Sequence, residues 1–152
     1  MTESSEVRPT CHDVIQHGNA HFTAGRYVDA LAAFERALVM VDRLLVGCRV
    51  DVALFISKIV TQYNRAATLV RLQRHPDADA AYQQGLAFAQ AIVQERAFAE
   101  NLRQAARCHY RMLLNEWQVF RCEHGHRLDE TPESFFAATF ERSGTLATAT
   151  VH

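Results

Sequence analysis

The sequence predicts an all-α protein made of antiparallel helical hairpins stacked as a short solenoid, with five long helices and a short C-terminal helix. Three observations support this fold class. Only three prolines and six glycines interrupt 152 residues, so few positions end a helix. Between them, apolar residues recur every three or four positions, the period of an amphipathic helix. The chain is also 49% hydrophobic and long enough to bury one core.

The first two predicted helices form a hairpin. The first runs from about residue 11 to 24 and stops at Gly25, a residue type that readily adopts the left-handed conformation found after helix ends. The second runs from about residue 27 to 46 and carries a stripe that must be buried: Ala30, Leu31, Phe34, Ala37, Leu38, Val41 and Leu45. Because so short a turn separates them, the two helices lie antiparallel.

Three more long helices follow. The third covers about residues 51–72, and the fourth starts at Pro76, which suits a first helical turn, and reaches about residue 97. The fifth covers about residues 98–120 and carries one apolar face: Phe98, Leu102, Ala105, His109, Leu113, Trp117 and Phe120. We place the boundary between the fourth and fifth helices near Glu95, where the amphipathic face resets. Since no strong helix breaker occurs in this stretch, one long bent helix is the alternative.

The chain divides into a disordered N-terminus at residues 1–10, a helical domain at 11–124 and a C-terminal tail at 125–152. In the tail, TPESFFAATFERSG predicts a short helix at residues 132–142, with Thr as its N-cap, Pro in its first turn and Gly after its end. Three phenylalanines make this helix too apolar to be left in water. We therefore expect the tail to dock on the last hairpin or on a second subunit.

The two predicted hairpins repeat each other. When the sequence is shifted by 48 residues, small residues superpose on small ones and large on large: Gly18 with Ala66, Phe22 with Val70, Ala30 with Ala78, Phe34 with Tyr82, Ala37 with Gly85, and Leu38 with Leu86. Two helices can approach closely only where one presents a small residue, and a ring one turn further on fills the space beside it. The spacing therefore predicts repeated close contacts.

The first hairpin resembles the tetratricopeptide repeat, whose small and large positions match Gly18, Phe22, Gly25, Tyr27, Ala30, Phe34 and Ala37. The second hairpin lacks the turn glycine but keeps the register. Because the family's period is 34 residues, the resemblance implies elongated repeats, with about two extra turns on each of two helices. The fifth helix is then half of a third repeat, or a helix that caps the stack.

The resemblance implies a concave groove, lined by the odd-numbered helices, that receives a peptide or a partner helix. The expected groove residues are His12, Ile15, Gln16, Asn19 and Phe22 on the first helix, Val60, Tyr63, Asn64, Ala67 and Arg71 on the third, and Arg103 and Arg107 on the fifth. Asn19 and Asn64 match positions at which family members that clamp a C-terminal carboxylate carry Asn. Ile15 replaces the clamp's first Lys. In a clamp, Arg103 and Arg107 would supply the missing positive charge; the alternative is that they pair with the nearby Glu100. A carboxylate clamp, an amide-assisted groove and simple packing are the three interpretations.

Composition argues against several other functions. A net charge of −1 gives no basic surface for a nucleic acid. The polar N-terminus and the lack of a long apolar stretch predict neither export nor a membrane span. We therefore expect a cytoplasmic protein with reduced thiols. A disulfide between Cys11 and Cys48, which come to the same end of the first hairpin, is the alternative. No phosphate loop, nucleophile elbow or helical zinc motif is present, so we expect neither an enzyme nor a cofactor.

Two alternatives remain to a general adaptor, that is, a protein that binds a peptide or partner helix in its groove. One is a metal site at Cys122, His124 and His126; Cys108 lies 14 residues earlier, about 21 Å along a helix, and cannot join it. The same residues are also typical of a solvated helix end, where His is favoured by the helix dipole. The other is a small dedicated chaperone for a secretion-type client, which would form a homodimer.

Overall fold

The computed structural model describes residues 8–47 and 51–128. It contains five α-helices: α1 (Cys11–Thr23), α2 (Tyr27–Val46), α3 (Val52–Arg71), α4 (His75–Gln94) and α5 (Glu100–His124), and one 3-10 turn, Gly125–Arg127, follows α5. No strand occurs in this described part, so the predicted all-α class is confirmed. Within the same residues, none of the helices combines the length and the apolar character needed to cross a bilayer. The predicted short helix at 132–142 and Cys48 lie outside the described residues.

Consecutive helices pack antiparallel. Cys11, at the start of α1, lies beside the carbonyl of Ala37 in the second half of α2, with 3.7 Å between its Sγ and that oxygen. Two ion pairs join α2 to α3, Lys58 to Asp42 at 2.7 Å and Arg65 to Glu35 at 3.4 Å. As the residue number rises on α3 it falls on α2, which is the mark of an antiparallel pair.

The break between α4 and α5 settles the alternative of one long bent helix in favour of two helices. Glu95 ends α4 in an extended conformation, with ψ 105°, and its carboxylate accepts a hydrogen bond from the Ala97 amide at 2.9 Å. The helix ends were predicted less accurately: α4 stops at Gln94 rather than near residue 97, and α5 begins at Glu100 and continues to His124. The buried side of α5 consists of Leu102, Ala106, Leu113 and Phe120.

The turns of the two hairpins are the same structure repeated 48 residues apart. After α1, the amides of Gly25 and Arg26 donate to the carbonyls of Phe22 and His21, at 3.0 and 2.9 Å. After α3, the amides of Gln73 and Arg74 donate to the carbonyls of Val70 and Leu69 at the same two distances. Both pairs form the Schellman motif, in which one left-handed residue ends a helix. Gly25 has φ 75° and Gln73 has φ 61°, so the second hairpin forms this turn without a glycine.

Small residues allow the helices to touch. The small positions of both hairpins are buried: Gly18, Ala30, Ala37, Ala66, Ala78 and Gly85. A Cβ added to Gly18 would lie 2.6 Å from Cε1 of Phe34, and one added to Gly85 would lie 2.7 Å from Cδ2 of Leu113 and 3.2 Å from Cβ of Gln62. Gly18 thus permits the approach of α1 to α2, while Gly85 permits the approach of α4 to both α3 and α5.

We expect Gly18→Ala to lower the free energy of unfolding by about 1–3 kcal/mol, because the new methyl group overlaps the buried ring of Phe34. Helix propensity alone would favour the alanine by about 1 kcal/mol, so the two effects have opposite signs. Urea denaturation followed by circular dichroism measures the difference. The control is Gly47→Ala, where nothing lies within 4 Å and no loss is expected. A Gly18→Ala variant as stable as the wild type would refute the close contact.

We expect Gln73→Gly to raise the free energy of unfolding by about 0.5–1 kcal/mol. A side chain in the left-handed conformation costs about 1–2 kcal/mol, and the greater freedom of glycine in the unfolded chain offsets part of that gain. The matched control is Gly25→Gln, which lowers stability by about 1 kcal/mol through the backbone alone, since nothing lies within 4 Å of a Cβ there. Thermal unfolding of the two variants checks both signs, and a destabilised Gln73→Gly protein would contradict the assignment.

Candidate functional site

Two cavities lie along the inner side formed by α1, α3 and α5. The amide cavity, of about 230 Å³, is lined by Asn19, Phe22, Thr23, Phe34, Tyr63, Asn64 and Ala67. The acidic cavity, of about 320 Å³, is lined by Phe22, Tyr63, Ala67, Val70, Arg71, Tyr82, Glu116, Val119, Phe120, Glu123 and His124. Because Phe22, Tyr63 and Ala67 belong to both, the two cavities form one continuous inner groove.

The repeat builds the inner groove twice. Asn19, Phe22, Thr23 and Phe34 line the amide cavity, and the residues 48 positions later, Ala67, Val70, Arg71 and Tyr82, all line the acidic cavity. The odd-numbered helices supply the walls, and one buried ring from each even-numbered helix, Phe34 or Tyr82, supplies the floor. The predicted 48-residue register therefore describes how the groove is assembled.

The amide cavity contains a pair of hydrogen-bonded side chains. Nδ2 of Asn64 donates to Oδ1 of Asn19 at 3.1 Å. The backbone carbonyls of both residues accept from threonines one turn later, Asn19 from Thr23 at 3.0 Å and Asn64 from Thr68 at 2.7 Å. Within the described residues, Nδ2 of Asn19 and Oδ1 of Asn64 make no hydrogen bond. The pair therefore leaves one donor group, the NH₂ of Asn19, and one acceptor group, Oδ1 of Asn64, and rotating both amides would preserve that combination.

The acidic cavity has neutral phenols facing carboxylates. Burial, and then the charge of Glu116, raises the pKa of Tyr63. Burial, Tyr63, Glu116 and Glu123 together raise the pKa of Tyr82 further. Glu116 is half-buried and forms neither a hydrogen bond nor an ion pair with any residue in 8–47 or 51–128. Glu123 lies 3.7 Å from Nε2 of its neighbour His124. The acidic cavity therefore combines hydroxyl donors with negative charge.

The structure brings half of the expected groove residues together. Asn19, Phe22, Tyr63, Asn64, Ala67 and Arg71 line the inner groove. Ile15 is instead only 8% exposed and packs in the core with Val14 and Ala37. His12 and Gln16 are exposed on α1 and Val60 is half-buried on α3, but none of the three lines either cavity.

The two arginines expected to add positive charge are directed elsewhere. Glu100 pairs with both, at 3.1 Å to Arg103 and 2.8 Å to Arg107, and the hydrogen bond from Arg107 holds the pKa of this carboxyl below its usual value. Arg103 also donates to the carbonyl of Val93 at 3.1 Å, and Arg107 lines a separate crevice between α4 and α5. Neither lines the inner groove, so the charge needed for a carboxylate clamp is not provided there by α5.

The sequence interpretation expected α5 to line the groove with Arg103 and Arg107, and this choice of residues was wrong. The α5 residues that line the groove are Glu116, Val119, Phe120 and Glu123. They follow the spacing of three, four and seven residues that places side chains on one helical face, and that spacing was available in the sequence.

The three residues of the alternative metal site, Cys122, His124 and His126, do not converge. Cys122 and His126 are exposed, whereas His124 is half-buried and stacks on His75, with 4.5 Å between ring centroids. Positions 122 and 124 are two residues apart on a helix, so they project in nearly opposite directions. Among the described residues, no group of three His, Cys, Asp or Glu side chains could hold a metal ion. Cys11, Cys108 and Cys122 are free thiols.

No protein-family model, curated protein or solved structure matches this chain. Function therefore has to be inferred from the chemistry of the inner groove. The groove offers one free amide donor, one free amide acceptor, aromatic walls and two carboxylates. These groups suit the recognition of a polypeptide, which carries backbone donors and acceptors as well as side chains.

Proposed function

We propose that this protein is a non-catalytic interaction module that binds a peptide or a partner helix in the inner groove. The observation that carries the proposal is the Asn19–Asn64 pair, which keeps one donor and one acceptor free in the groove. A peptide unit presents one N–H and one C=O, the complement of these two groups. Amide recognition of this kind reads the backbone and is independent of the ligand's sequence.

The walls of the groove support binding by burial of side chains. Phe22 and Tyr63 line both cavities, and Val119, which is 46% exposed, lines the acidic cavity. Each such group loses contact with water when a peptide covers it, at about 25 cal/mol per Å² of apolar surface. The groove thus combines apolar contact area with a small number of placed polar groups, as ligand sites do.

We further propose that the chain is a divergent member of the tetratricopeptide repeat class, with two elongated repeats and α5 as the capping element. The repeated Schellman turn, the buried small positions and the two equivalent cavities support this proposal.

The second candidate, a small dedicated chaperone, would use the same groove and also form a homodimer. Val39 and Val46, seven residues apart on α2, are 50% and 91% exposed, with the exposed Asp42 and Arg43 between them on the same face. Sedimentation at several protein concentrations separates the two candidates, since an adaptor of this kind does not need to self-associate.

We expect Ala67→Trp to abolish peptide binding, because Ala67 lines both cavities and an indole there would fill their junction. Peptides are selected from a random library by the full chain and titrated by fluorescence anisotropy. Affinity should fall more than about tenfold, the loss expected when a pocket is blocked sterically. The control is Ala87→Trp on an exposed position of α4, which should bind as the wild type does. Equal binding by both variants would place the ligand outside the inner groove.

We expect Asn64→Ala and Asn19→Ala each to weaken the selected peptides by about 1–3 kcal/mol, because either change leaves a ligand group unpaired in a partly desolvated site. Circular dichroism should show that both variants remain folded. Asn115→Ala, at an exposed position of α5, is the matched control and should leave affinity unchanged. If all three variants bind equally, the amide pair does not contact the ligand.

A further inference from the structure

We infer that the ligand carries a basic side chain, arginine or lysine, which occupies the acidic cavity beside Glu116 and Glu123. This inference rests on the proposed function, since it names the chemistry of the peptide bound in the inner groove. It opposes the carboxylate-clamp interpretation, under which the groove would attract a negatively charged terminus.

The first argument is the state of Glu116. Its side chain is half-buried on the wall of the cavity and has no hydrogen-bonding or cationic partner within residues 8–47 and 51–128. A cation bound beside an unpaired carboxylate is attracted to it. Glu116 lines the acidic cavity together with Tyr63 and Tyr82.

The second argument is the shape and lining of the cavity. Glu116 and Glu123 are two turns apart on α5, a rise of about 10 Å, and Phe120 lies between them. The half-buried ring of Tyr63 lines the same space, and the nearly buried rings of Tyr82 and Phe120 lie beneath it. Aromatic faces attract cations and accommodate the methylene stem of a long basic side chain, so the charged end can reach a carboxylate while the stem stays apolar.

The third argument is the balance of charge around the cavity. Arg71 lines the cavity, with its guanidinium 6.0 Å from the ring centre of Tyr27, so the lining holds one guanidinium and two carboxylates. His124 lies against Glu123, and Arg121 pairs with Asp79 at 3.4 Å and lies over the ring of Trp117. Glu123 thus has an imidazole within 3.7 Å, whereas Glu116 has no such neighbour among the described residues. Glu116 is therefore the main determinant of selectivity for a cation.

The experiment uses an array of random dodecapeptides with amidated C-termini, probed with the full chain. Peptides that bind the wild type but not Ala67→Trp define the groove ligands. We expect these to be enriched in arginine and lysine by about threefold or more over the array average. Enrichment should fall toward one for Glu116→Gln and persist for Glu35→Gln, a matched loss of one carboxylate outside the groove.

A double comparison in solution identifies the contact. The best arginine-containing peptide is titrated beside the same peptide with neutral citrulline in place of arginine. The wild type should prefer arginine by about threefold to tenfold, Glu116→Gln should lose most of this preference, and Glu35→Gln should keep it. Raising NaCl from about 50 to about 500 mM should weaken the binding of the arginine peptide and leave the binding of the citrulline peptide unchanged, since salt screens an exposed ion pair.

The outcomes separate the two proposals. Groove ligands without basic enrichment, or a preference for arginine that survives Glu116→Gln, would overturn the inference and leave the binding function standing. If no peptide distinguishes the wild type from Ala67→Trp, both proposals fail. A synthetic peptide of residues 129–152 that competes better than every basic peptide would assign the cavity to the chain's own tail. Self-association that weakens in Glu116→Gln would assign it to a second copy. Either result would overturn the inference.

Discussion

The structure depends on helix contacts so close that a Cβ has no room. Phe34 packs its ring against the bare backbone of Gly18, and the same ring forms the floor of the amide cavity. The same contact therefore determines both how α1 packs on α2 and where the floor of the cavity lies. If α1 and α2 were held further apart by a side chain at position 18, the ring would have to move and the depth of the cavity would change. Tyr82 has the equivalent place under the acidic cavity.

Repetition sets the geometry of the groove, and departures from repetition set its chemistry. The two Schellman turns direct each hairpin in the same way, so positions 48 residues apart occupy equivalent places. At those equivalent places Asn19 corresponds to Ala67, and Thr23 to Arg71. The amide pair consequently forms only at the first junction, between α1 and α3. A scaffold with two similar cavities thus presents two different sets of polar groups.

Features of the structure could be predicted from the sequence where they depend on residues that are close together in the chain. Helix number, the turn after α1 and the small positions depend on neighbouring residues and were predicted from spacing. The turn after α3 has no glycine, so the residue type at position 73 did not indicate the left-handed conformation that Gln73 adopts. The amides were predicted because the resemblance to the tetratricopeptide repeat places Asn19 and Asn64 in the groove. The acidic cavity was not predicted. It brings Tyr63 of α3 together with Glu116 of α5, and these two positions are 53 residues apart, so the 48-residue register does not relate them.

The two cavities also fix a distance in any ligand that uses both. Packed helices lie about 8–10 Å apart, so the junction of α1 with α3 and that of α3 with α5 are separated by roughly 10 Å across the groove. An extended chain rises about 3.3 Å per residue, and about three residues span that distance. A peptide whose backbone is held by Asn19 and Asn64 therefore presents a side chain about three residues further on to Glu116. Under the proposed function, backbone recognition at one junction would supply affinity for many sequences. The carboxylate at the other junction would restrict which sequences are retained, because it favours basic side chains over acidic ones.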